Sequence, residues 1–240
     1  MSTIRFALIA TLGVFSLEAS AGDTATPRVI GFSTDGKVFA FEEYGIQDGS
    51  GFPYANRFYI DTATDSFLAG TPIRIRIDDE AADIAAARAQ AREKGDKIVA
   101  ESVLSANPGD TAGWNAITEL SADAFRMVVN PRPIFPPVDS PVEFRLEEIP
   151  FVPPSGCENL GDTMGFRLVR IDPTPGGETM LVHADASIPA SRNCPTGYRI
   201  GGVQTFYPLS ADPVFAVLIA VQSIGFEGPD FRWIAVTGRL

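Results

Sequence analysis

Apolar and polar positions alternate with a period of two in several short stretches of this chain. Pro72 to Ile77 is the clearest: Ile73, Ile75 and Ile77 alternate with Arg74 and Arg76, which predicts a half-buried strand with a basic outer face. Arg28 to Ser33 and Lys37 to Glu43 read as strands joined by Thr34-Asp35-Gly36. There the aspartate can bond the turn backbone and the glycine supplies positive φ. A polar loop, Tyr44 to Asn56, leads to a third strand, Arg57 to Asp61. Further strands are expected over Ala124 to Asn130 and Val142 to Glu148. Gly165 to Ile171 and Glu178 to Asp185 form a hairpin pattern around a Pro/Gly-rich turn. Tyr198 to Tyr207 is a strand whose Gly201-Gly202 pair predicts a bulge. Val214 to Gln222 and Phe231 to Thr237 complete the series, and Val214 to Val221 is the most apolar run of all.

A helical pattern covers Asp78 to Lys94. Asp78 and Asp79 supply the N-cap and acidic charge at the positive end of the dipole, and Gly95 suits the residue after the C-cap. The interior is alanine-rich, and a stripe of Ala81, Ile84, Ala85 and Ala91 is thin, so this helix should lie on the surface of a sheet. Ile98 to Ala106 fits a helix or a strand, and Asn107-Pro108-Gly109 breaks the chain. Prolines between residues 131 and 154 place that path at sheet edges and connections. The expectation is a mainly β (α+β) fold: a single domain, residues 22–240, of antiparallel and propeller-like hairpins with one Ala-rich surface helix.

Residues 1–21 stand outside that pattern. Arg5 precedes an apolar run, Phe6 to Phe15, and Ala19-Ser20-Ala21 has the small-x-small form of a signal peptidase site. The run is too short to span a bilayer, and no later stretch is long and apolar enough for a membrane helix. The reading is a signal peptide cleaved near Ala21, hence a periplasmic or secreted protein without stable membrane insertion. The chain carries a formal charge of −11. Losing Arg5 and Glu18 with the signal leaves that balance unchanged. Such a charge repels nucleic acid and anionic membranes and favours solubility. In an exported protein the two cysteines, Cys157 and Cys194, read as a disulfide. Neither they nor the single histidine, His183, has the clustered spacing of a metal site, and no cofactor motif is present.

The two ends of the chain can be aligned. Val38-Phe39-Ala40-Phe41 stands opposite Val214-Phe215-Ala216-Val217, and Arg57-Phe58-Tyr59-Ile60 opposite Arg232-Trp233-Ile234-Ala235. This is either an imperfect repeat or the common demand of two hairpins. Phe32, Ser33, Asp35, Gly36, Lys37, Ala40 and Phe41 resemble one blade repeat of TolB-like propellers. More broadly, FAFEEYGIQDGSGFPY (39–54), RIRIDDEA (74–81) and GFEGPDFRWIAVTG (225–238) resemble a family of predicted secreted bacterial proteins of uncharacterised function. That resemblance implies export and a single domain, and assigns no catalytic or binding residue.

Candidate chemistry is sparse. Glu42, Glu43, Asp48 and Asp61 flank the glycine-rich loop, but a Ca²⁺-loop spacing is missing, and adjacent Glu42 and Glu43 must point to opposite faces of a strand. They read as exposed turn carboxylates. His183 has Asp185 on its own face, as a general base or a structural hydrogen-bonded pair. No nucleophile elbow is present. Tyr44, Phe52 and Tyr54 read as exposed aromatics in the polar loop beside Asp48 and suit binding. The leading expectation is an exported, non-catalytic binding protein. Its site is Tyr44, Asp48, Phe52 and Tyr54, and its partner is a periplasmic or extracellular protein, glycan or peptide. The rival is a periplasmic hydrolase using the acidic loop residues and His183. The loop is expected to be ordered and to pack an aromatic against Gly225 to Asp230, forming a rim of the binding surface.

Overall fold

A computed structural model describes residues 22–240. The signal-peptide expectation for residues 1–21 lies outside the described residues. The chain begins with β1 (Thr26–Phe32), β2 (Val38–Ile46), β3 (Pro53–Asp61), β4 (Ser66–Phe67) and β5 (Ile73–Arg76). These form the first sheet, in the order β1-β2-β3-β4, with β5 also pairing with β3. Two helices follow, α1 (Ile84–Gly95) and α2 (Glu101–Ser105), then β6 (Asp110–Trp114). The second sheet has the order β10-β9-β8-β7, built from β7 (Arg126–Val129), β8 (Val142–Phe151), β9 (Thr163–Ile171) and β10 (Thr179–Ala184). Strands β11 (Pro195–Phe206), β12 (Val214–Ile224) and β13 (Pro229–Arg239) join β6 in the third sheet, in the order β13-β12-β11-β6. The strand pairings within the three sheets are antiparallel.

The three sheets stack face to face, with the third in the middle. Ala216, Leu218 and Ala220 of β12 pack toward Phe39, Phe41 and Phe58 of the first sheet. Phe215, Val217, Ile219 and Val221 pack toward Phe144, Leu146, Phe166 and Leu168 of the second. This explains the unbroken apolar run over Val214 to Val221: a strand covered on both faces has no polar side to alternate with. The outer face of the first sheet, with Tyr59, Ile73 and Ile75, is covered by α1 and α2. The propeller expectation fails, because the sheets are stacked layers and no blade is found among the described residues. The TolB-like stretch forms the β1–β2 hairpin, whose turn rests on Ser33, Asp35 and a positive φ at Gly36. Those are requirements of the tight turn itself, so they do not specify a blade.

Several local expectations change. Helix α1 starts at Ile84 with Asp83 as its N-cap, whose side chain accepts from the Ala86 N–H at 2.7 Å. Asp78 and Asp79 lie ahead of it. Its buried stripe is Ala87, Ala91 and Gly95, a narrow row that lets the helix approach the sheet closely. Gly95 therefore serves packing rather than a left-handed cap: a Cβ there would lie 2.0 Å from Tyr59 Oη. The ambiguous segment after it contains the short helix α2. The polar loop is much shorter than expected, because β2 and β3 pair from Val38↔Asp61 to Ile46↔Pro53. Only residues 47–52 form the turn.

The predicted bulge in β11 is present, between Ile200 and Gly202. Cβ atoms there would meet Trp233 at Gly201 and Trp114 at Gly202, so the glycines make room for two indoles stacked 5.6 Å apart. The disulfide joins Cys157 to Cys194, with Cα atoms 5.6 Å apart. It ties the β8–β9 connection to the chain just before β11.

Candidate functional site

The site lies where the inner face of the first sheet meets β13. In the antiparallel register, Arg76 sits opposite Tyr54, Arg74 opposite Asn56, and Asn56 opposite Glu43. Directly opposed residues point to one face. The alternation in β5 thus buries Ile73 and Ile75 under the helices and turns Arg74 and Arg76 to the other side. There a groove of about 510 Å³ is lined by Gln47, Tyr54, Asn56, Arg74, Arg76, Asp78 and Arg232. A smaller pocket of about 140 Å³ shares Asn56, Arg74 and Arg232 and reaches inward to Glu43 and Trp233.

Two buried carboxyls set the electrostatics. Glu43 is 1% exposed and accepts from Asn56 Nδ2 at 2.9 Å and from the Trp233 N–H at 2.6 Å. Burial pushes its pKa up, against the opposing pull of those two bonds and of Arg232 and Arg74. Asp23 accepts from the Tyr54 hydroxyl at 2.9 Å and from Arg232 Nη2 at 2.5 Å. Burial raises its pKa too, against the attraction of Arg232. The Arg232 guanidinium stacks over the Tyr54 ring, 4.8 Å from its centroid. Arg76 is held by Asp78 at 2.7 Å and by Gln47. Arg74 differs from both: it rests over the Phe58 ring at 5.8 Å and has no side-chain hydrogen bond or ion pair among the described residues. The arrangement therefore presents one uncommitted guanidinium beside carboxyls already engaged by other donors, which suits holding an anionic group.

The four residues singled out from sequence separate. Tyr54 is buried in β3 and lines the groove, not exposed in a loop; extending the strand past Asn56 carried it inside. Asp48 is at the tip of the β2–β3 turn, where it accepts from the Glu227 N–H at 3.0 Å. Phe52 stands next to β3 with Arg76 over its ring at 5.9 Å. Tyr44 faces the opposite side of the sheet, beneath Arg88 at 4.1 Å. The expected contact between the two hairpin tips is formed, but the aromatic nearest it is Phe226 of the second tip, against Gly49. Glu42 and Glu43 do point to opposite faces, and both are buried rather than exposed.

The residues of the rival hydrolase reading are not gathered. Glu42 bonds to arginines under α1, Asp48 to the β12–β13 tip, and His183 Nε2 lies 3.0 Å from Asp185 Oδ1. Sequence reasoning missed Asp23, Glu43, Asn56, Arg74 and Arg232 as a group. Only the Arg74/Arg76 alternation was a local signal; the rest depends on register across two sheets.

The fold and groove define a layered β protein with an arginine-bearing groove at a sheet junction. The chain belongs to the family described as predicted secreted protein (DUF2259), whose model matches residues 40–239. Comparison with curated proteins and with solved structures finds no match.

Proposed function

We propose that this is an exported, non-catalytic binding protein of the periplasm or cell exterior, released by cleavage near Ala21. Its groove takes a carboxylate-bearing extended peptide. The observation that carries this reading is Arg74: an exposed guanidinium at the groove, without a polar partner among the described residues, beside a buried polar floor. Arginine in such a place binds a planar carboxylate through paired N–H donors. β5 is a strand of four residues at the edge of the first sheet, so an extended peptide can run alongside it. The family description supports export.

The test is fluorescence anisotropy with labelled peptides carrying a Glu-X-Glu pattern, against the same peptides with glutamine. Arg74→Gln should weaken binding of the acidic peptide about tenfold, the loss of one charge-assisted pair, with Tm unchanged. Tyr54→Phe separates the floor from the fold, since Tyr54→Ala would open a buried position. Equal binding of acidic and amide peptides, or an Arg74→Gln variant that binds as the parent does, would sink the reading.

A further inference from the structure

The opposite face of the first sheet carries a second cluster of charge that the groove does not use. Arg57 projects there from β3 and is 2% exposed. Its Nε reaches Glu42 Oε1 at 3.3 Å, and its Nη2 lies 2.9 Å from Glu101 Oε2. Arg28 of β1 reaches Glu42 at 3.4 Å and Glu101 at 3.1 Å. Arg88 of α1 donates to Glu42 Oε2 at 3.0 Å. Arg92, one turn further on, stays 3.7 Å from Glu101 and 3.9 Å from Asp96, beyond hydrogen-bond length. Four guanidiniums thus share two buried or half-buried carboxylates, with Asp96 only at the rim. They line an open cavity of about 420 Å³ together with Glu101, Ala85 and Ala89.

Fastening the helices to the sheet accounts for one arginine on each carboxylate. It does not account for the excess of positive charge or for the space. Glu42 already accepts from three guanidiniums, Arg88 giving it both Nε and Nη2, so no acceptor remains there for Arg92, and Arg57 Nη1 is buried without a hydrogen-bond partner. The alanines at 85 and 89 keep the mouth open between them. We infer that this cavity is an oxyanion site for the phosphate group of a phosphate monoester. The Arg92 fork, with the unpartnered Arg57 Nη1, suits a tetrahedral oxyanion, and the alanine-lined mouth leaves room for the remainder of the ester. The site is independent of the groove, which lies on the other side of the sheet.

The experiment is calorimetric titration of the purified exported protein with inorganic phosphate and with glycerol phosphate, against chloride at equal ionic strength. Saturable one-site binding of both phosphates, absent for chloride, is expected. Arg92→Gln should weaken it about tenfold, because Arg92 is mostly exposed and holds no short bond in the fold. Ala89→Leu should abolish it by filling the mouth while every charge remains, with far-UV circular dichroism reporting an intact fold. Arg74→Gln should leave it unchanged. Co-sedimentation with phosphatidic-acid vesicles that Arg92→Gln abolishes would assign the ester to a lipid headgroup; its absence would assign a soluble ester. Phosphate indistinguishable from chloride, an Arg92→Gln variant that binds as the parent does, or loss of phosphate binding in Arg74→Gln would overturn the inference.

Discussion

Glu42 and Glu43 are neighbours in sequence, both buried, and should respond to the same substitution by very different amounts. Glu42 faces the helices and meets Arg28, Arg57 and Arg88. Replacing it by glutamine removes the charge those guanidiniums share. Arg28 and Arg88 are about one-third exposed and can regain water, whereas Arg57 is 2% exposed and cannot. Removing one partner of a buried ion pair typically costs about 3–5 kcal/mol. Glu101 still pairs with Arg57, so the lower end, about 3 kcal/mol, is expected for Glu42→Gln.

Glu43 faces the groove and is held by two N–H donors rather than by a direct ion pair. In Glu43→Gln the new side-chain oxygen can accept from the Trp233 N–H. The new amide can donate to Asn56 Oδ1 once the Asn56 amide turns over. Both bonds are kept, so the loss should be below about 1 kcal/mol. The pH dependence gives a second reading. Burial raises the folded-state pKa of Glu43 above its ordinary 4.5, so the folded state binds more protons. Its stability cost is then absent below 4.5 and grows as pH rises through the folded value. Glu43→Gln should flatten that fall in stability. Urea denaturation followed by tryptophan fluorescence, at pH 5 and pH 7, measures both. Equal losses for the two variants, or a Glu42→Gln loss under about 1 kcal/mol, would refute the assignment of the two faces.

Other perturbations test other parts of the structure. Burial opposes the charge on His183, yet the hydrogen bond to Asp185 and the Asp65 carboxylate 3.8 Å away raise its pKa to about 9. The stability this gives is fully present below about 6.5 and lost as pH rises through 9. Proton NMR titration of the single histidine should show the raised value, and His183→Gln should remove that slope from the stability profile. Replacing both Cys157 and Cys194 by alanine opens a loop of 37 residues and should cost about 4 kcal/mol on the chain-entropy model. Chemical denaturation of the oxidised parent and the double variant reads that difference. Gly95→Ala improves helix propensity by about 1 kcal/mol but drives a Cβ against Tyr59, so a net loss of about 1 kcal/mol is expected from the same melts. A stabilised Gly95→Ala variant would show that the helix can lift from the sheet without penalty.

The strands were legible where the physics is local. The alternation of Ile73, Arg74, Ile75 and Arg76 gave both β5 and its two faces, since a strand with one buried side has to repeat every two residues. The bulge at Gly201-Gly202 was legible for a similar reason, as two glycines inside a strand leave room that something must fill. Strand β6 was not legible: Asp110–Trp114 has no buried alternation of its own and is held by pairing with β11, some ninety residues later. The ends of β2 and β3 were misjudged because Tyr44, Gly45 and Ile46 look like loop residues until their partners Ala55, Tyr54 and Pro53 are supplied.

The site was legible only at its edge. Glu42-Glu43 followed by a glycine-rich turn carries the composition of a solvated strand end, and exposure is what such a pattern ordinarily means. What buries both residues is distant: α1 closes over one face and β13 over the other. Each glutamate then needs donors that no neighbouring sequence provides. For Glu42 they are Arg28, Arg57 and Arg88; for Glu43 they are Asn56 and the backbone of Trp233. Two adjacent carboxylates of identical chemistry thereby acquire different surroundings, one among charges and the other among amides. The strand's period of two makes that division possible, and the layers packed on its two sides decide what each face becomes.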